Sequence, residues 1–287
     1  MKIAVLSGKG GTGKTTLSMN LAVLLHHSIV VDADVEEPNL ELFLTGEVVR
    51  TSPVFKSYPV VDDTKCTLCG ACGDFCAYNS ILPARKGVLV HKELCHDCGG
   101  CAVVCKQDAI HYEKRSIGDY SERSILDNQR LYTGTLSVGE ISGVKIIETL
   151  RQVVEVEPFV LIDSPPGTSC ATVAAVEGVD YAILVTEPTP FGLSDMKMVV
   201  EMLQAMGIPF GVVINKAGIG DESVQLFCEI NEISLLGQIP FNKEYAAIYS
   251  KGALLAKEVP EYQDYLQSII QHLPLSVAES AVGGEGV

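Results

Sequence analysis

Basic residues are scarce in this chain: 21 Lys and Arg stand against 36 Asp and Glu, for a formal net charge of -15. Nucleic-acid binding depends on neutralising phosphates with a basic face, so this balance argues against a nucleic-acid partner. The local basic group Arg85, Lys86 and Lys92 is read as a solvated hairpin, with steering of an acidic redox partner as the alternative. Also missing is any apolar run long enough for a transmembrane helix. The C-terminal stretch LSVAESAVGGEGV lacks the basic amphipathic pattern of an interfacial anchor. No signal peptide is expected either, because the first strand pattern begins at Lys2. A cytoplasmic protein without a membrane anchor is the expectation. Hydrophobic content of 47% is ample for a packed core.

Cysteine, by contrast, is present in an ordered pattern. CTLCGACGDFC from Cys66 and CHDCGGCAVVC from Cys95 share the spacing C-x-x-C-x-x-C-x-x-x-C, so the second run repeats the first. Two-residue gaps let three thiolates of one tight loop reach three corners of a cubic cluster. Gly70, Gly73, Gly99 and Gly100 suit the turns this demands. The spacing is that of bacterial ferredoxins, in which the fourth cysteine of each run crosses to the other cluster. That resemblance implies one 4Fe-4S cluster on Cys66, Cys69, Cys72 and Cys105, and a second on Cys95, Cys98, Cys101 and Cys76. A pair of structural zinc sites fits less well, since zinc sites usually join two separated C-x-x-C units. Ala77 and Lys106 replace the proline that usually follows the fourth cysteine, which alters the exit turn and removes no ligand. His96 is read as an exposed imidazole, with tuning of a cluster as the alternative, and Cys228 in VQLFCEI as a core thiol. Clustered thiols also suit a reducing cytosol.

The N-terminus carries a second signature. KIAVL (2–6) reads as a buried strand, Gly8 to Thr15 matches G-x-x-x-x-G-K-[ST], and Thr16 to His26 has apolar residues at helical spacing, with His26 and His27 closing the helix. Strand, glycine-rich loop and helix in this order form a P-loop. Backbone amides from Gly10 through Gly11, Thr12 and Gly13 to Lys14 would cradle phosphates at the helix N-terminus. Lys14 would reach the β- and γ-phosphates and Thr15 would ligate magnesium, with Thr16 completing the ATP contacts.

Lys9 refines the reading. The sequence KGGTGKT resembles the deviant Walker A motif of the MinD, ParA and Mrp ATPases, to which the nitrogenase iron protein is related. The resemblance implies that Lys9 reaches the nucleotide of a facing subunit in an ATP-dependent homodimer, a role like that of an arginine finger. VVDADVEEPNL resembles the family's switch I, which makes Asp34 the residue that orients or deprotonates the attacking water and Asp32 a contact to magnesium through water. DSPPGT resembles its Walker B and switch II segment, with Asp163 holding a magnesium-bound water. Asn215, in VVINKAG, matches the position that reads the adenine edge, and Pro240, in QIPFNKE, the loop beside the base. Cys170 follows switch II as a cluster-ligating cysteine does in the nitrogenase iron protein. Two readings stay open for it: a metal or cluster site at a dimer axis, and a buried inert thiol.

The remainder alternates strands and helices. Strand patterns fall at 28–33, 159–162, 181–186, 210–215 and 235–239, and helical ones at 145–156, 194–206, 222–230, 243–249 and 262–272. Such alternation predicts an α/β fold, a mostly parallel sheet with helices on both faces and ligands at the carboxyl ends of its strands. The cysteine runs lie between the two switch segments. Turn-rich stretches at 52–59 and 116–122 therefore bound an inserted α+β ferredoxin-like domain at 58–117, within a discontinuous ATPase domain of 1–57 and 118–287. Three functions fit this plan. The first is an ATPase coupling ATP to electron transfer, or to assembly or reductive activation of a metallocofactor on a client protein. The second is a spatial organiser of the MinD or ParA type with structural clusters, and the third a cluster carrier. The first is preferred, because an organiser usually shows a membrane tail or basic face and a passive carrier has no use for Lys9 and Asp34.

Overall fold

The structure, a computed structural model, describes residues 1–26, 28–125 and 129–274. His27 and the C-terminal stretch 275–287 lie outside the described residues. The described residues form eleven strands: β1 (Lys2–Ser7), β2 (Ile29–Asp32), β3 (Glu47–Val61), β4 (Ile81–Ala84), β5 (Gly87–Val90), β6 (Ile110–Ser124), β7 (Arg130–Leu136), β8 (Val160–Asp163), β9 (Tyr181–Thr186), β10 (Phe210–Ala217) and β11 (Ser234–Pro240). Nine of them make one sheet in the order β11-β10-β9-β1-β8-β2-β7-β6-β3. From β11 to β7 every pairing is parallel, while β6 runs antiparallel to both β7 and β3. The α/β architecture read from the strand and helix alternation is therefore present.

Strand periodicity builds the core on both faces of this sheet. Along β1, Ile3 and Val5 enter one apolar cluster with Leu17, Leu21 and Leu161, whereas Ala4 and Leu6 enter another with Ile146, Ile162 and Val199. Successive side chains of a strand point to opposite faces, and a parallel sheet covered on both sides needs apolar residues at every position. Each aliphatic side chain so buried contributes about 1.5–3 kcal/mol relative to exposure.

The stretches 52–59 and 116–122, expected as turn-rich breaks, are strand throughout. Pro53 and Pro59 are tolerated because β3 is an edge strand, where a missing N–H costs no ladder bond on the open side. The chain consequently passes 57/58 and 117/118 inside two continuous 15-residue strands. Only 118–124 of β6 pairs with β7, and beyond that β3 and β6 continue as a two-stranded ribbon. Gly118 marks the departure point: a Cβ there would lie 2.1 Å from the Thr135 carbonyl oxygen, so a side chain would force β6 off β7.

The ribbon ends at Val61 and Ile110, joined by an Asp62 N–H to Ala109 C=O bond of 2.7 Å, and carries residues 62–109 at its tip. The sequence repeat folds as a structural repeat. Leu68 and Asp97 share the left-handed conformation (φ 56° and 55°), as do Gly70 and Gly99, and Asn79 and Asp108. Short helices Ala71–Phe75 and Gly100–Val103 follow the glycines. Strands β4 and β5 form a separate hairpin whose turn exposes Arg85 and Lys86, as expected. Lys92 is outside that hairpin: its amine lies 4.2 Å from the Tyr58 ring centroid and donates to the Tyr58 hydroxyl at 3.1 Å.

Candidate functional site

Parallel strands deliver their last residues to one edge of the sheet. There β1 gives way to the P-loop, and the β2–β8 register sets Asp32 beside Asp163. The helix Lys14–Leu24 begins at Gly13, which has φ 93° and offers no side-chain cap to the free amides of the first turn. Those unpaired donors and the helix dipole make an anion site. Glycine is obligatory there for a second reason, since a Cβ would lie 2.1 Å from Asn215 Nδ2.

Asp163 is the hub. Its Oδ2 accepts from the Thr15 hydroxyl at 2.8 Å and from Lys14 Nζ at 3.1 Å, and its Oδ1 from the Ser18 hydroxyl at 2.7 Å. A threonine hydroxyl beside an aspartate oxygen is the hard-oxygen donor pair that magnesium favours. Lys14 Nζ also lies 3.8 Å from Asp34. The Thr12 and Ser164 hydroxyls are buried without a hydrogen-bond partner, leaving polar capacity in the P-loop and directly after Asp163.

Asp32 is fully buried and spends its carboxylate on the segment that follows it, accepting from the backbone N–H of Asp34 (3.2 Å), Asn39 (2.9 Å) and Leu40 (2.9 Å). Burial, reinforced by the charge of Asp163, pushes its carboxyl up to about 7 against the backbone bonds and Lys14. Burial also lifts Asp34 to about 6, opposed by Lys14. Between the ordinary value of 3.8 and about 7 the folded protein holds a proton at Asp32 that the unfolded chain lacks, so stability falls as pH rises through that window. In nucleotide-free protein kept in EDTA, the melting temperature of wild type relative to Asp32→Asn should therefore drop by roughly a few degrees from pH 4 to 7. A difference that is constant with pH, or that grows, contradicts this.

Lys9 sits on the rim with its amine 3.2 Å from Glu187. Glu187 also pairs with Lys216, whose amine donates to the Gly11 carbonyl at 2.9 Å. Burial alone would raise the Glu187 carboxyl, but Lys216 and Lys9 outweigh it and hold it below the ordinary range. Asn215 donates to the Thr12 carbonyl at 2.7 Å, bracing the P-loop. Pro240 ends β11 opposite Ala217 of β10, and Phe241 N–H donates to the Ala217 carbonyl at 2.9 Å. Cys170 is exposed at the first position of the helix Cys170–Val176, so the buried-thiol reading does not hold for it. Cys228 is in the core, 2% exposed.

The ribbon tip holds two cavities. Cys66, Cys69, Cys72 and Cys105 line one, with Val61, Pro83 and Ile110 around them. Cys76, Cys95, Cys98 and Cys101 line the other, a space of about 190 Å³ bordered by Ser80 and Tyr112. Each wall thus combines three cysteines of one run with the fourth of the other. Among the described residues no three His, Cys, Asp or Glu side chains close on a single-ion site; the first cavity has a volume of about 20 Å³ and the second about 190 Å³. Four thiols around a cavity are a donor set that fits a 4Fe-4S cluster. His96 is exposed and stacks on Tyr78 with ring centroids 3.5 Å apart.

Hydrogen bonds link the ribbon strand β6 to the body of the fold. Arg115 of β6 donates to the Lys92 carbonyl at 3.2 Å on the module side and to Glu140 at 2.8 Å on the ATPase side. Val35, next to Asp34, accepts from the Leu136 N–H at 2.8 Å, and Ser137 N–H donates to the Ile117 carbonyl of β6 at 2.9 Å.

The sequence matches the CobQ/CobB/MinD/ParA nucleotide binding domain over residues 3–255. The chain belongs to this P-loop family, whose MinD and ParA members are ATPases. It is 31% identical over 276 residues to an uncharacterized protein of Methanocaldococcus jannaschii, covering 94% of this chain and 96% of that one. It is 26% identical over 263 residues to the iron-sulfur cluster carrier protein of Pyrococcus abyssi, covering 84% of this chain and 74% of the relative. In fold it resembles the septum site-determining protein MinD of Pyrococcus horikoshii in its Mg-ADP complex, with a TM-score of 0.59, 20% identity and 96% of each chain covered. No helix among the described residues is long and apolar enough to cross a membrane.

Several site residues escaped the sequence reading. Ser18 lies one helical turn beyond Lys14, where it reads as an ordinary helix residue. Glu187 and Lys216 had a usable signal, since both sit at carboxyl ends of parallel strands, where ligands gather in such sheets. Ser80 and Tyr112 carried none beyond their proximity to cysteines.

Proposed function

We propose that this protein is an iron-sulfur ATPase whose nucleotide cycle controls two 4Fe-4S clusters, for electron transfer to a partner or for assembly or reductive activation of a partner's metallocofactor. The carrying observation is the pair of four-thiol cavities at the tip of a ribbon whose base belongs to the nucleotide-binding sheet. Cys66, Cys69, Cys72 and Cys105 hold one cluster; Cys76, Cys95, Cys98 and Cys101 hold the other. Bound there, the clusters supply one-electron chemistry. The cysteine-bearing insert, 58–117 by its sequence bounds, is the redox part of a chain whose remainder is the ATPase domain.

In the nucleotide site, Lys14 binds the phosphates, while Thr15 and Asp163 hold magnesium. Asp34 orients the attacking water, Asp32 keeps switch I in reach, and Asn215 and Pro240 flank the base. Two copies close around ATP, and Lys9 leaves Glu187 to act on the partner's nucleotide. Purification without oxygen should yield about eight irons and as many labile sulfides per chain, the content of two four-iron clusters. Stoichiometric zinc without labile sulfide overturns the reading.

A second reading, transfer of a cluster held at the dimer axis, is favoured by the exposed Cys170. A relative named as an iron-sulfur cluster carrier supports the same idea. If Cys170→Ser keeps about eight irons per chain and still dimerises with ATP but stops cluster delivery to an apo-ferredoxin, the carrier reading leads.

A further inference from the structure

The two cavities are related by the internal repeat, yet they differ at two equivalent positions. Ser80 follows Cys76 as Ala109 follows Cys105, and Tyr112 stands to Cys101 as Pro83 stands to Cys72. Both hydroxyls serve the Cys76/Cys95/Cys98/Cys101 cavity. Tyr112 Oη lies 2.9 Å from Cys101 Sγ, and Ser80 Oγ lies 3.2 Å from Cys76 Sγ. Backbone donation is matched at the fourth cysteines, where Ser80 N–H reaches Cys76 Sγ and Ala109 N–H reaches Cys105 Sγ, each at 3.4 Å, while Asp97 N–H adds a further donor to Cys95 Sγ at 3.5 Å. Ala109 and Pro83 have no hydroxyl to offer, although Pro83 lines the first cavity.

We infer that Tyr112 and Ser80 are potential-setting residues, which raise the reduction potential of the second cluster alone and make the two clusters inequivalent. The inference rests on the proposed cluster binding. A sulfur that ligates iron carries no proton, so both hydroxyls must donate to it. Reduction adds negative charge that spreads onto the sulfurs, and a donor aimed at a sulfur stabilises the reduced state more than the oxidised one. Burial of Cys95 and Cys101 works the other way, because a low-dielectric surround disfavours added charge. Substitution of a hydroxyl alone isolates the first effect, since Tyr112→Phe keeps the ring and its packing.

The test is an EPR-monitored redox titration of anaerobically purified wild type, Tyr112→Phe, Ser80→Ala and Ala109→Ser, each assayed first for iron and sulfide. With both clusters retained, Tyr112→Phe should lower one potential by about tenfold in the one-electron equilibrium, 59 mV, and leave the other in place. Ser80→Ala should lower the same potential by a smaller amount. Ala109→Ser should raise the other one, which also keeps the inference testable if Tyr112→Phe fails to fold. Unmoved potentials, or equal shifts of both, in protein that holds two clusters overturn this inference alone. Wild type that lacks two clusters overturns the proposed function and this inference with it.

Discussion

Asp34→Ala should still bind ATP and dimerise while hydrolysing it about 10²–10⁴-fold more slowly, the usual contribution of a positioned proton acceptor. Burial lifts the Asp34 carboxyl to about 6, close to the range that suits a base at neutral pH. Its separation of 3.8 Å from Lys14 leaves it at the phosphate-binding lysine without a tight bond to it. The two lysines should behave differently under the same assays. Lys14→Ala should lose nucleotide binding, because Lys14 is buried at the head of the helix among the three aspartates. Lys9→Ala should keep binding and lose turnover by about 10³-fold or more, the scale of a cation supplied in trans. Its amine is held by Glu187 of its own chain, so it is available only after that pair opens. Nucleotide binding, size-exclusion elution with ATP and phosphate release, measured on one preparation of each variant, separate these outcomes. Parental turnover in Lys9→Ala protein that still dimerises contradicts the trans-acting role.

What could be read from the sequence follows physical lines. The P-loop and the strands bearing Asp32 and Asp163 were legible because parallel strands buried on both faces are short apolar runs ending at a polar edge. Helix bounds near 243–249 came out directly, since Asn242 caps that helix by accepting from Glu244 N–H at 2.8 Å. Strands β3 and β6 were not legible. They carry Pro53, Pro59 and Gly118, and their burial alternates too weakly along the strand to be told from turns. The pairing of Cys105 with the first run came from resemblance to ferredoxins and not from spacing. That Cys105 lines the first cavity depends on the turn of the chain after Cys101, which spacing alone leaves open.

Nucleotide state should alter the second cavity more than the first, because the hydrogen-bonded route from switch I enters β6 on the way to Tyr112. Under the proposed function a γ-phosphate would act on Asp34, and the next residue, Val35, accepts from the Leu136 N–H at the end of β7. Val35 packs directly on two glycines: a Cβ at Gly143 would lie 2.2 Å from its side chain, and one at Gly134 2.7 Å. A displaced Val35 must shift Leu136, and Ser137 passes that shift to Ile117 of β6. Arg115 adds a second tie between the ribbon and Glu140. Such a route is a physical mechanism only if the switch has two states that bias it, and the γ-phosphate supplies the bias.

The central claim, that ATP controls the clusters, is tested most directly by titrating both cluster potentials in nucleotide-free protein, with ADP, and with ATP trapped by Asp34→Ala. The account predicts that the Tyr112-dependent potential moves by roughly threefold or more in its one-electron equilibrium between the ADP and ATP states while the other stays nearly fixed. Identical potentials and line shapes in all three states, with an unchanged rate of electron transfer to a soluble acceptor, contradict it.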